Sequence, residues 1–223
     1  MLNYIKMEKN KMICPQKNCS LCPRLVEFRT QNKFKFPSYY NAPVPSFGNT
    51  NAQFLVVGMA PGLNGANQTG RPFTNDYAGD ILYPALKEFG LAKGEYKKRA
   101  DDGFELINTR VTNAVRCVPP QNKVVADETN NCRQFLQSEI NSMPNLKVIL
   151  TLGTVAHNAL LSALGYKKSQ FTFTHGKKHF LDKHKIILFN SYHTSRYNIN
   201  TGVLTDEMFK KVIASIKEEL DVL

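Results

Sequence analysis

Phe54-Leu55-Val56-Val57-Gly58-Met59-Ala60-Pro61-Gly62-Leu63-Asn64-Gly65-Ala66-Asn67-Gln68-Thr69-Gly70-Arg71-Pro72-Phe73-Thr74-Asn75-Asp76-Tyr77-Ala78-Gly79 reads as a strand, a long glycine-rich loop and the start of a helix. The apolar run Phe54 to Val57 has the composition of a parallel strand buried on both faces. A helical pattern begins near Asp76 and runs through Ile81, Leu82, Leu86 and Phe89 to a stop at Gly90. Pro84 inside that pattern requires either a start near Gly79 or a kink. A loop placed this way lies at the carboxyl end of a sheet, where open α/β folds keep their ligand sites. Its glycines let backbone approach a ligand closely. Between them stand one cation (Arg71), one ring (Phe73), one carboxylate (Asp76) and two amides (Asn64, Asn67). A plain surface loop is the competing reading, but loops this long are usually functional or disordered.

Two nucleotide-binding patterns are absent. There is no G-x-x-x-x-G-K-[ST] to hold phosphates and magnesium, and no G-x-G-x-x-G.

Outward from the loop, strands alternate with helices. Phe104 to Thr109 and Val111 to Val115 form a second strand region, Leu146 to Leu152 a third strand and Ile186 to Phe189 a fourth. Helices are expected from about Asp127 to Met143, after Gly153-Thr154, and after Thr205, where Met208, Val212, Ile213, Ile216 and Leu220 share a face. Pro23 to Arg29 begins a short helix, residues 30–50 read as coil packed through rings, residues 92–103 as a polar connection, and Phe171 to His184 as a basic hairpin-like insert. The pattern specifies an α/β fold: a three-layer α/β/α sandwich around a parallel sheet. A flexible N-terminal segment over 1–18 and a single domain over 19–223 are expected. The 223 residues suffice for one buried core.

The net charge of +11 suits a polyanionic partner, nucleic acid ahead of a membrane surface because no amphipathic basic helix stands out. The apolar runs fall short of a membrane span, so a soluble, cytoplasmic monomer is expected. Five cysteines are more specific. Cys19 and Cys22 form a C-x-x-C pair, and Cys117 and Cys132 lie far downstream. In a reducing compartment this is a four-thiolate site for an iron–sulfur cluster or a structural zinc rather than two disulfides. Cys14 could replace Cys19, but the C-x-x-C spacing favours Cys19, which leaves Cys14 a bystander.

Three strand ends deliver polar groups to one rim: the glycine loop, Asn113, and the segment that begins at His193. A base flipped out of DNA needs a ring to stack on and hydrogen bonds to its edge. Phe73 supplies the ring, and the Asn113 amide carries the donor and acceptor that uracil would pair with. His193 can stabilise charge growing on a departing base, and Asp76 can act on water and offset a cationic sugar. The helix N-terminus behind Asp76 is expected to keep its carboxylate ionised. Base deamination is disfavoured, because H-x-E with P-C-x-x-C is absent. His157 reads as structural or exposed, not catalytic. A DNA-binding module without catalysis, held by a structural metal, is the alternative; it would have no need of Asp76, Asn113 and His193 together.

At these residues the chain resembles the family 5 (type B) uracil-DNA glycosylases. The resemblance is carried by Gly58-Met59-Ala60-Pro61-Gly62, Gly65-Ala66-Asn67, Thr69 to Thr74, Asp76, Thr112 to Cys117, and His193-x-Ser195. Cys19-x-x-Cys22-Pro23-Arg24-Leu25-Val26 and Thr201-Gly202-x-Leu204-Thr205 extend it from about Cys19 to the end. It implies four parallel strands in the sheet and a [4Fe–4S] cluster on Cys19, Cys22, Cys117 and Cys132. It also implies excision of uracil, with hypoxanthine or other damaged bases as further substrates. Asp76 would act on water, Phe73 stack, Asn113 recognise the base and His193 aid its departure, with Gly58 and Ala60 lining the base site. Arg196, Tyr197, Ser195, Asn67 and Arg71 would contact DNA, with Arg196 and Tyr197 placed to hold the strand or fill the vacated hole. Two positions depart from the family pattern: Thr194 stands where Pro is usual, and Asn75 where Gly is usual.

Overall fold

Phe54 and Val56 face one way from their strand and Leu55 and Val57 the other, and all four are completely buried. A strand apolar on both faces requires a helical layer on each side. In the computed structural model, which describes residues 12–222, those layers are present. The elements run α1 (Pro23–Lys35), β1 (Phe47–Gly48), β2 (Phe54–Gly58), α2 (Ala66–Thr69), α3 (Tyr77–Glu88), β3 (Ala92–Lys93), β4 (Glu105–Leu106) and β5 (Thr109–Asn113). They continue with α4 (Ala126–Asn141), β6 (Val148–Leu152), α5 (Thr154–Ala163), β7 (Lys178–Leu181), β8 (Ile186–Ser191), α6 (Arg196–Asn200) and α7 (Asp206–Val222).

The main sheet has the order β1-β5-β2-β6-β8-β7. Its four central strands are parallel, in register through Val56↔Val111, Val56↔Leu150 and Leu150↔Phe189. Two antiparallel edges extend this parallel core: Phe47 pairs with Val111 and Lys178 with Phe189. On one face Phe54, Val56, Leu150 and Phe189 meet Leu82 and Leu86 of α3 and Phe209, Val212, Ile213 and Ile216 of α7. On the other, Leu55, Val57, Ile149 and Leu188 meet Leu136 and Ile140 of α4 and Leu160 and Leu161 of α5. Thr205 caps α7 by accepting the Met208 N–H at 3.2 Å. Pro84 sits inside α3, which nevertheless starts at Tyr77.

Two segments differ from expectation. Helix α1 continues to Lys35, past the point where coil was expected, because its buried positions Leu25, Arg29 and Asn32 are mostly polar and hide the helical period. Within the expected flexible segment, Met12 and Ile13 have partners in the domain: the Ile13 N–H donates to Ser138 Oγ at 2.8 Å, and Arg110 reaches the Met12 sulfur at 3.8 Å. The remainder of the expected flexible segment, 1–11, lies outside the described residues. Among those described, no helix is long and apolar enough to cross a membrane.

A buried carboxylate ties α4 to the end of β5. Glu139 accepts from Arg110 at 2.6 Å and from Arg116 at 2.5 Å, and all three side chains are buried. Burial pushes the Glu139 carboxyl up, but the two guanidinium groups outweigh it and hold the carboxyl below its ordinary range. Glu139→Ala leaves two buried cations unpaired and should cost about 3–5 kcal/mol, read from the denaturation midpoint. A carboxyl held low in the folded state contributes stability above its unfolded pKa, about 4.3, and loses it as pH falls through the folded value. The gap between wild type and variant should therefore narrow below about pH 4.

Candidate active site

The carboxyl ends of β5, β2, β6 and β8 open on a cavity of about 450 Å³. Asn113 ends β5, Gly58 ends β2 directly beside it in register, and His193 follows β8. Asp76 and Phe73 reach the same cavity from the glycine loop, with Met59, Ala60, Ser195 and Arg196 also on its wall. Four side chains expected to do chemistry thus share one space. Gly58 lies between the Phe73 ring and the Asn113 amide so tightly that a Cβ there would strike both. Phe73 and His193 lie 6.4 Å apart, centroid to centroid, at 29°, so their rings flank the space in nearly parallel planes. Among the described residues neither the Asn113 amide nor the His193 ring is engaged by another protein group, which leaves both for a ligand.

Asp76 precedes α3 without capping it. Its carboxylate turns back into the loop, where Oδ2 accepts the Ala66 N–H at 3.1 Å. A Cβ on Gly65 would overlap the carboxyl group, so only glycine admits this approach. Burial pushes the Asp76 carboxyl up, the Ala66 and Gly62 N–H groups pull it back, and Asp80 adds a smaller upward push. The expectation that its own helix would hold the carboxylate ionised is therefore corrected: desolvation wins, and loop amides provide the restraint. Burial pushes the His193 imidazolium down, so the ring is neutral at neutral pH and carries one N–H to donate.

Asn75 and Thr194, the two departures from the family pattern, both fit. Asn75 has φ 62°, a left-handed conformation that Asn tolerates better than any branched residue, and its amide bonds Asn64 O at 2.8 Å and Gln68 Oε1 at 3.0 Å. Thr194 is buried and donates to Ala78 O at 3.2 Å, fastening the His193 segment to α3.

The residues expected at DNA divide. Arg196 and Tyr197 are exposed at the start of α6; Arg196 lies 5.3 Å over the Tyr77 ring, and Tyr197 is 73% accessible. Ser195 lines the cavity and caps α6 by accepting the Asn198 N–H at 3.3 Å. Arg71 and Asn67 are corrections. Arg71 is buried, with both arms on Asp102 at 2.8 Å and Nε on Thr74 Oγ1 at 2.7 Å, so no phosphate can reach it. Asn67 is buried beneath the loop and donates to Asn41 Oδ1 at 2.9 Å. His157 is structural as expected, bonded to Asn190 and to Phe171 O at 2.8 Å each. Sequence reasoning missed Asn122 and the Leu152 to Val155 turn, which also line the cavity. The turn had a signal, a strand end running into a helix; Asn122 had none, because the left-handed turn at Gln121 and Asn122 carries no glycine.

Cys22, Cys117 and Cys132 pack in one buried cluster with Cys19 against it, while Cys14 is exposed. All are free thiols. Two donors already point at sulfur: Arg29 Nη1 at 3.5 Å from Cys117 Sγ, and Asn131 Nδ2 at 3.7 Å from Cys22 Sγ. Among the described residues, no three His, Cys, Asp or Glu side chains converge as ligands of one metal ion.

The sequence pattern of the Uracil DNA glycosylase superfamily matches residues 45–217. Similar curated proteins include a Type-5 uracil-DNA glycosylase from Thermus thermophilus, 39% identical over 95% of this chain and 98% of that protein. A second, from Pyrobaculum aerophilum, is 38% identical over 88% of this chain and 86% of its own length. A Type-4 uracil-DNA glycosylase from Sulfurisphaera tokodaii is 34% identical over 87% of this chain and 79% of its own.

The raised Asp76 carboxyl has a consequence for stability. A carboxyl that binds its proton more tightly folded than unfolded loses folding free energy as pH rises from its unfolded pKa, about 3.9, through the folded value. Asp76→Asn removes that loss. The variant should melt no lower than wild type at acid pH, and its relative Tm should climb as pH rises and then level off; scanning calorimetry over pH 3–8 checks it.

Proposed function

The chain belongs to the uracil DNA glycosylase superfamily and to its type-5 group, and we propose that four residues divide the chemistry of uracil excision among them. The reaction is hydrolysis of the N-glycosidic bond between uracil and deoxyribose in DNA, a repair step that leaves an abasic site. The observation that carries the division is the convergence of Asp76, Phe73, Asn113 and His193 on one cavity at the carboxyl edge of the sheet.

The flipped uracil stacks on Phe73, with its edge against Asn113, whose amide offers both a donor and an acceptor. As the bond lengthens, its electron pair moves to the base and positive charge grows on the sugar. The neutral His193 donates its N–H to the base oxygen where negative charge collects. Asp76, ionised, offsets the cationic sugar and takes the proton of the water whose oxygen bonds to the sugar carbon. Asp76 lines the cavity from a partly desolvated cradle of loop amides, where its field is less screened than in bulk water. A cavity of about 450 Å³ exceeds a single pyrimidine ring and supports hypoxanthine as a further substrate. Arg196 and Tyr197, exposed beside the mouth, are placed for the DNA strand. A DNA-binding module without catalysis would not need the free His193 and Asn113 groups beside a desolvated carboxylate.

A [4Fe–4S] cluster on Cys19, Cys22, Cys117 and Cys132 fits the chemistry of the donor set. Three buried thiols gather with the half-buried Cys19 against them, and Arg29 and Asn131 donate toward sulfur, as suits charge on thiolates. Such a cluster would fasten α1, the end of β5 and α4 together. Free thiols throughout suit work in a reducing cytoplasm.

Asp76→Asn should slow uracil release by about two to four powers of ten with little change in DNA affinity, since the lost interaction strengthens mainly in the transition state. Asn113→Asp should instead discriminate among bases, with uracil losing most. Single-turnover assays on duplexes carrying uracil or hypoxanthine separate the two; near wild-type rates for Asp76→Asn on every base would move water activation elsewhere. Aerobically purified protein should be brown, with broad visible absorbance and about four iron and four sulfide per chain. Cys132→Ser should bleach and destabilise it, and Cys14→Ser should do neither; a colourless protein with one zinc would overturn the cluster.

A further inference from the structure

Phe73 holds a backbone conformation that its side chain does not favour. Its φ of 55° is left-handed, a region that bulky residues enter only when their surroundings force it. The forcing contacts come from behind the loop, on the side away from the cavity. Tyr83 donates to Pro72 O at 2.5 Å. Tyr96 Oη donates to Phe73 O at 3.3 Å while accepting the Asn75 N–H at 3.1 Å, so one hydroxyl grips the peptides on both sides of Thr74. Arg71 fixes the start of the turn, and Asp102 fixes Arg71. The Asp102 carboxylate is held in turn by the N–H groups of Lys97 and Phe104, each at 3.0 Å. Burial pushes this carboxyl up, yet Arg71 and the two N–H groups hold it far below the usual carboxylate range. The Arg71 guanidinium is also flanked by the Tyr83 and Tyr96 rings at 5.7 and 5.8 Å.

Tyr96 and Asp102 both belong to the connection between β3 and β4, and neither lines the cavity. A buried ion pair adds little net stability over an apolar replacement, because desolvation consumes most of its attraction. What this pair does supply is a single conformation for the turn that presents Phe73.

We propose that Tyr96 and Asp102 are positioning residues: acting through the Phe73 carbonyl and Arg71, they lock Phe73 in its left-handed conformation and so set the plane on which the flipped base stacks. The proposal rests on the glycosylase reading for its substrate and on the clamp geometry for its mechanism. A base stacked on a ring that has tilted is displaced from both His193 and Asp76. The loss should therefore fall on the chemical step more than on DNA binding.

Tyr96→Phe tests it with the smallest change, since it keeps the ring against Arg71 and Tyr83 and removes only the hydroxyl. The single-turnover rate on uracil-DNA should drop about 10-fold to 100-fold, in line with the cost of misplacing reacting groups, while affinity for abasic product DNA stays unchanged. In a Phe73→Leu background the same substitution should cost almost nothing further, because residues acting through one another are not additive. Amide hydrogen exchange, which needs no activity, should speed up at residues 71–76 and stay at wild-type rates in the core strands. Asp102→Asn should repeat the pattern. Additive losses in the double variant would overturn the proposal, as would exchange that is unchanged at 71–76 or raised uniformly over the chain. Wild-type protein that releases no base would count against the glycosylase reading, and the exchange measurement would still decide the clamp.

Discussion

A carboxylate drawn largely out of solvent and into a loop of backbone amides is the constraint on which the rim of the sheet depends. Asp76 meets it by leaving its own helix uncapped and turning into the loop, where Gly65 gives it room and the Ala66 N–H receives it. Bulk water would serve the charge better, but it would also screen the field that the carboxylate casts into the cavity. Gly62 and Gly65 follow from this arrangement, since a Cβ on either would strike the carboxylate. So does the short helix α2, whose first N–H is the one that Asp76 uses.

The second anchor is β5. Within five residues the chain at the end of this strand carries an amide on the cavity wall, Asn113, a cation that pairs with Glu139, Arg116, and a thiol of the buried cluster, Cys117. Glu139 and Cys132 both lie on α4, two helical turns apart, so the helix that the ion network fastens to β5 also carries a thiol of the buried cluster. A shift of α4 would be felt at the rim of the sheet. None of the cluster's cysteines lines the cavity.

Much of this was legible in the sequence, and the exceptions have physical causes. Strands β2, β6 and β8 are apolar runs that could hardly be anything else, and their carboxyl ends located the cavity. Asp76, Phe73, Asn113 and His193 could be named because each sits at a strand end or in the loop after one. Arg71 and Asn67 were misplaced because a polar residue in a loop looks the same whether it faces phosphate or a partner. Asp102, which claims Arg71, lies 31 residues away in a stretch that reads as solvent-facing. The far end of α1 was hidden by its polar buried face, and β1 by its brevity, since an edge strand of two residues has no period to detect, whereas β7 falls within the hairpin-like insert that was expected.

The rigidity of the site has an energetic logic. Two of its parts are unfavourable taken alone: a desolvated carboxylate at Asp76 and a left-handed phenylalanine at 73. Such features persist only where the surroundings over-determine them. Here the surroundings are two shells of opposite character. Toward the cavity the groups are few and left unpaired, so that a ligand can complete them. Behind the loop every polar group of the Arg71, Asp102 and Thr74 set is matched, with Tyr83 and Tyr96 closing the backbone. A site satisfied on its outer side and unsatisfied on its inner side has its residual hydrogen-bonding capacity aimed at one place, the cavity at the carboxyl edge of the sheet.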